Sequence, residues 1–147
     1  MLREVVRKVL VEASPQKPKG FVGNIEQLTL NNRDFRRVLY TAEHLQLVVM
    51  ELPVGEHIGA EKHPVDQFFR VESGNGLAVI GDIEEDINDG DAVIIPAGAE
   101  HDIINVGETT LKLYTLYAPP HHRDGTVHKT RADAEEDDER YQGVTSL

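Results

Sequence analysis

The stretch that most restricts what this chain can become is Gly90 to Asn105. A glycine is followed after five residues by Pro96-Ala97-Gly98, after two more by His101 and after three more by Asn105. Ala92 to Ile95 reads as a short buried strand, and Pro96-Ala97-Gly98 ends it, because proline cannot donate to a sheet and glycine accepts the backbone angles of a turn. His101, Ile103 and Asn105 then alternate onto one face of the next strand. A histidine is thereby aimed at an interior from a strand that remains paired.

A second segment has a comparable frame. From Gly55 the chain runs five residues to Glu61, then one residue to His63, three to Gln67 and six to Gly74. Side chains two apart on a strand share a face, so Glu61 and His63 point at one place. Pro64 interrupts that strand, and Asp66-Gln67 opens the next with Gln67 within reach of the same point. His101 closes the group from a neighbouring strand. Two imidazoles, a carboxylate and a weaker amide oxygen suit Zn, Fe, Mn or Ni better than Ca or Mg, without choosing among the four. His57, four residues before Glu61, is a substitute ligand or a solvated loop residue.

These two frames resemble the two motifs of the cupin superfamily, in particular its small single-domain members with a conserved barrel of the cupin 2 type. Every fixed position of the second motif is met. In the first, most metal cupins carry His-x-His and then Glu, whereas this chain has Glu61-x-His63 and Gln67, so the negative charge is kept but moved. Asn24 to Thr29 together with Phe35 to Thr41 is similar to the lead-in of a subgroup of small bacterial and archaeal cupins. The resemblance implies an all-β jelly-roll barrel, a double-stranded β-helix, with one divalent transition metal inside it. It also implies a homodimer, since cupins are often dimers and two-fold pairs are the commonest assembly.

The rest of the chain agrees with that architecture. Phe21 to Leu30 and Phe35 to Thr41 read as the first strands, with Asn31-Asn32 as the turn between them. Leu45 to Leu52, Gln67 to Glu72, Leu77 to Ile80, Ile83 to Ile87, Ala92 to Ile95 and Leu111 to Tyr117 follow, separated by turn residues, and regular short strands of this kind give a barrel or sandwich. Leu2, Val5, Val6, Val9, Leu10 and Ala13 form the apolar stripe of a short N-terminal helix, which Ser14 to Gly20 ends. Thr130 with Asp133 three residues on is a capping signal for a short C-terminal helix from Arg131 to about Glu139. The organisation expected is a helix and linker over residues 1–20, a barrel over 21–120 and a tail over 121–147.

Composition removes several function classes. The absence of cysteine excludes disulfides and thiolate metal sites and accords with a cytoplasmic location. No stretch is apolar enough for a signal peptide or a membrane span. A net charge of -11 opposes attraction to phosphate backbones, so no nucleic-acid partner is expected. Much of that charge lies in Glu135 to Glu139, which reads as a solvated face. Arg36-Arg37 read as strand surface, and no basic cluster dedicated to a phosphate stands near the motifs.

An open metal position polarises a carbonyl or hydroxyl, or activates oxygen. The expected function is a small-molecule enzyme with sugar or sugar-phosphate isomerase-like Lewis-acid chemistry; a metal-dependent dioxygenase and a non-catalytic metabolite-binding cupin are the alternatives. Glu56 and His128 are the candidate catalytic bases. His121, His122 and His128 in the tail also raise a second metal site, against which adjacent histidines point in different directions and loop histidines are mostly solvated.

Overall fold

The computed structural model describes residues 19–146, with Arg3 alone ahead of them. The N-terminal apolar stripe falls outside the described residues. Nine strands and two short helices follow: α1 (Ile25–Asn31), β1 (Arg36–Thr41), β2 (Gln46–Leu52), β3 (Asp66–Ser73), β4 (Asn75–Ile80), β5 (Ile83–Asn88), β6 (Ala92–Ile95), β7 (His101–Ile104), β8 (Leu111–Ala118), β9 (Val127–His128) and α2 (Arg131–Glu136). They form two antiparallel sheets, one in the order β6-β3-β8-β2-β1-β9 and the other β5-β4-β7. This is the jelly-roll barrel.

Strict alternation sets the interior. On β8, Leu111, Leu113, Thr115 and Tyr117 are buried and their neighbours are not. On β3 the buried set is Gln67, Phe69 and Val71, with Glu72 beside the bulge where the pairing to β8 shifts. With Met50, Leu52, Ile95 and Ile103 the apolar members of these faces, Phe69, Val71, Leu111, Leu113 and Tyr117, make one continuous core. Full burial of each large apolar side chain contributes about 1.5–3 kcal/mol. The polar members of the same inward faces, Gln67 and His101 among them, are therefore held by a wall that does not depend on them.

The fixed glycine and asparagine of the motifs have direct physical reasons. Gly74 has φ +94°, and a Cβ there would lie 2.7 Å from the Thr110 carbonyl oxygen. Only glycine fits. Asn105 is buried, donates to the Leu52 and Thr109 carbonyls at 2.9 Å each, and accepts from the Gly107 N–H at 2.9 Å. It ties the end of β7 to the end of β2.

The segment expected as the first strand is corrected in part to a helix. Asn24 caps α1 by accepting from the Gln27 N–H at 3.0 Å, and the Thr29 hydroxyl donates back to the Ile25 carbonyl. Capping asparagine and a three- and four-residue spacing of Ile25, Leu28 and Thr29 outweigh the strand propensity of the segment. The C-terminal helix has the expected capping box between Thr130 and Asp133 and ends at Glu136.

Candidate metal centre

Glu61 and His101 face one another across a short antiparallel bridge. Each N–H donates to the other's carbonyl at 2.9 Å, which sets both side chains on the same side of the backbone. The Gly98 N–H donates to the His63 carbonyl at 2.8 Å, and the Ala97 N–H donates to Asp66 Oδ1 at 2.8 Å. The Pro96-Ala97-Gly98 turn thus clamps the strand carrying Glu61 and His63 to the start of β7. The ligand atoms of Glu61, His63 and His101 all lie within 4.8 Å of one another.

The hydrogen bonds suit ligation. His101 Nδ1 lies 3.0 Å from the Ala99 carbonyl oxygen, so this nitrogen carries the proton and Nε2 keeps its lone pair. His63 Nε2 is 3.0 Å from Glu61 Oε2, and the two rings of His63 and His101 meet edge to face at 4.7 Å. Burial pushes the Glu61 carboxyl up, but the hydrogen bond from His63 and the charge of Arg36 outweigh it. The net shift is downward, and the group is an anion at neutral pH. Four buried side-chain polar atoms lack a partner among the described residues, and three of them belong to Arg36, His63 and Gln67. Native interiors leave few such atoms without a reason; the Arg36 N–H calls for an anion, while the carboxylate and imidazoles of Glu61, His63 and His101 fit a divalent cation.

Gln67 is buried on β3, where its amide nitrogen donates to the Thr115 hydroxyl at 3.0 Å and its oxygen is the unpartnered atom. His57 is drawn away from the centre by Asp102, whose carboxylate lies 2.8 Å from the ring nitrogen and also accepts from the Gly59 N–H. Glu56 is part-buried before the bridge, with its backbone bonded to Pro53 and Asn105, and does not line the cavity described next.

A cavity of about 530 Å³ opens beside the centre. Its wall is made by Arg36, Glu61, Lys62 and His63 on one side and by tail residues, His121, His122, Asp137, Glu139 and Arg140 among them, on the other. The tail is fastened there by Gln46, fully buried, which accepts from the N–H groups of His121 and His122 and donates to the His122 carbonyl at 2.8 Å. His122 joins Glu139 Oε1 at 2.6 Å through Nδ1 and the Tyr117 hydroxyl at 3.2 Å through Nε2. A neutral His122 donates to an ionised Glu139 and accepts from a protonated Tyr117, and the shifts agree. Burial keeps His122 below its ordinary value. It also pushes Tyr117 up. At Glu139 burial is overcome by the hydrogen bonds from His122 and from the Arg123 N–H, which bring the carboxyl down to about 2.

His121 is the tail histidine nearest the centre. Its ring lies 4.6 Å from that of His63 and stacks on Tyr117 at 5.5 Å. Burial, then the neighbouring His122 and His63, lower it to about 4, so it is a neutral base at physiological pH. His128 is buried, with Nδ1 3.2 Å from Arg36 Nη1 and Nε2 3.0 Å from Asp137 Oδ2. Two readings of the chain are corrected here. Arg36 is an inward residue and only 5% exposed, because β1 buries alternate positions; Arg37 is the surface member. The acidic run is not a solvated face throughout, since Glu139 is buried against His122.

The fold and motifs place the chain in a family, and comparison with known proteins agrees. Residues 48–117 match the family model for the cupin domain. The chain is 48% identical over 124 residues to the uncharacterized protein YrkC of Bacillus subtilis, covering 80% of this chain and 67% of that one. It is 41% identical over 116 residues to the uncharacterized protein L612 of Acanthamoeba polyphaga mimivirus, covering 76% and 72%. The crystal structure of BH2720 from Bacillus halodurans superposes with a TM-score of 0.80 at 48% identity, over 83% of this chain and 98% of that one. The chain belongs to the cupin family.

Proposed function

We propose that this cupin is a metal-dependent enzyme acting on a small polar metabolite, and that its reaction is a proton shift on a hydroxy-carbonyl substrate of the kind sugar isomerases carry out. The observation that carries the reading is the convergence of Glu61, His63 and His101, of which Glu61 and His63 line a cavity that also holds a neutral histidine, His121. A divalent Zn, Fe, Mn or Ni ion held by those three residues would supply Lewis acidity to a substrate oxygen. The remaining steps fall to side chains. His121 is the group able to take a proton from a substrate carbon or hydroxyl and return it, because it is unprotonated at neutral pH and lines the cavity. Tyr117, stacked on His121, fixes the plane of its ring. The tail, fastened by Gln46 and by the His122–Glu139 pair, holds one wall of the cavity in place.

The test is metal analysis of protein purified without chelators, followed by exchange of substrate C–H protons with deuterated solvent across a panel of small hydroxy-aldehydes and hydroxy-ketones. Bound metal and deuterium uptake that His121→Asn abolishes support the reading. Tightly bound iron with oxygen consumption would favour the dioxygenase. A metal-free protein that holds a metabolite unchanged would favour the binding module.

A further inference from the structure

Arg36 is a cation in an unusual position. It is 5% exposed, on an inward position of β1, and no carboxylate stands at ion-pair distance from it among the described residues. Among the described residues its one side-chain hydrogen bond is from Nη1 to His128 Nδ1 at 3.2 Å; Cζ lies 5.2 Å from the Phe35 ring centre, and Nε is buried without a partner. A buried charge left without an opposite charge is expensive, and breaking such a pair ordinarily costs several kcal/mol. Glu61 and Glu139 feel its charge, but no acid around the cavity reaches it at ion-pair distance, and each has its nearest partner elsewhere. Glu139 is held by His122 and Arg123, Asp137 by His128, Glu135 by Arg131 and Asp138 by Arg140. Glu61 is held by His63.

The free side of the guanidinium has a definite shape. With Nη1 occupied by His128, the remaining edge is Nε and Nη2, two parallel N–H donors in the fork that matches a carboxylate or a phosphate bidentately. His128 fixes that edge. A neutral ring accepts at Nδ1 from Arg36 only if its proton is on Nε2, and Asp137 accepts from Nε2 at 3.0 Å and so selects that tautomer. Arg36 and Glu61 line the same cavity, and the field of Arg36 is felt at Glu61, Tyr117, His122 and Glu139.

From this geometry we propose that Arg36 is an anion-recognition residue, and that the substrate is a small hydroxy-carbonyl or hydroxy acid bearing a carboxylate or phosphate that its Nε and Nη2 grip, with His128 and Asp137 as the residues that position it. This deepens the metal-enzyme reading, on which it rests for the place of the reacting carbon. It also assigns a part to His128: it orients Arg36 and leaves proton transfer to His121.

The experiment measures binding of glycolate, its uncharged amide glycolamide and inorganic phosphate to the full chain by calorimetry, in metal-loaded and chelator-treated protein. Glycolate or phosphate should bind wild type in both forms, and glycolamide should bind at least about tenfold more weakly, the value of a charge-assisted hydrogen bond. Binding by glycolate alone would make the group a carboxylate; binding by phosphate as well would make the fork a general anion site. Arg36→Lys keeps the charge without the fork and should weaken the anion at least about tenfold with metal content unchanged, while Arg36→Met should abolish binding. Asp137→Asn should weaken the anion and leave the metal alone. Failure of all anions to bind wild type, or equal anion affinity in wild type and Arg36→Lys, would overturn the proposal. Anion binding by a protein that takes up no divalent metal when offered Zn, Mn, Fe or Ni would instead overturn the metal-enzyme reading alone.

Discussion

The barrel and the tail that walls its cavity both present histidines to one small volume, but they hold them by different means. His63 and His101 are fixed by the pleat: a two-residue period and the clamp of the Pro96-Ala97-Gly98 turn decide where they point. His121, His122 and His128 are fixed by partners distant in the chain, namely Gln46, Glu139 and Arg36. The difference separates what each region can lose. A barrel histidine can be removed with the wall intact; Gln46 or the His122–Glu139 pair cannot be removed without loosening the tail, whereas His121 is tied by its backbone N–H and keeps that bond when substituted.

The largest effect expected from that contrast is on metal. His101→Ala should lower bound metal at least tenfold while the thermal midpoint of the chelator-treated protein changes little, because Phe69, Leu113 and Ile103 carry the packing. Unchanged metal content in this variant would place the site elsewhere. On the other side of the contrast, Gln46→Ala strips three hydrogen bonds from the tail and leaves buried backbone groups of His121 and His122 unsatisfied. It should cost about 3 kcal/mol, or a fall of about 10 °C in the midpoint of a chain this long, and retain the metal. A variant that kept its midpoint and lost its metal would reverse the assignment of the two regions.

The barrel site is legible in the sequence because its determinants are local. The Gly90 to Asn105 frame specifies strand, turn and strand within sixteen residues, Glu61-x-His63 sets two ligands within three, and the physical period does the rest. The tail is not legible in that way. Nothing in His121-His122-Arg123 announces that Gln46, some 75 residues earlier, accepts from both N–H groups, or that the fifth acid of a charged run will be buried. Arg36 was hidden for a related reason: two adjacent arginines on a strand necessarily face opposite ways, and only the partner strands decide which one is inside. The capping asparagine at Asn24, by contrast, was available in the sequence as a helix signal.

Acid should sharpen the contrast at a smaller scale. His121 in the folded chain is lowered to about 4 from its ordinary value of 6.5, and His122 is also lowered. Below pH 6.5 the unfolded chain therefore binds protons that the folded chain refuses, and stability falls as pH falls toward 4. Glu139, held down at about 2 against an ordinary 4.5, contributes stability above 4.5 that is lost as pH drops toward 2. Thermal midpoints of chelator-treated protein should decline from pH 7 downward, less steeply in His121→Asn. A midpoint that rises on acidification would contradict the buried, neutral tail histidines.

The smallest effect concerns Gln67. If its free amide oxygen contacts the cation, Gln67→Glu adds a second negative charge, and a competitive chelator titration should show tighter binding. Equal affinities would leave a set of three residues and give Gln67 the role of holding Thr115.

The central claim is that the barrel, rather than the tail, holds the metal. Anomalous diffraction from crystals of zinc-loaded protein, recorded on both sides of the zinc absorption edge, tests it directly. The account predicts one strong peak about 2.0–2.2 Å from a Glu61 carboxylate oxygen and from a ring nitrogen of each of His63 and His101. A peak bound by His121 or His122 instead, or none on those three residues at full loading, would contradict it.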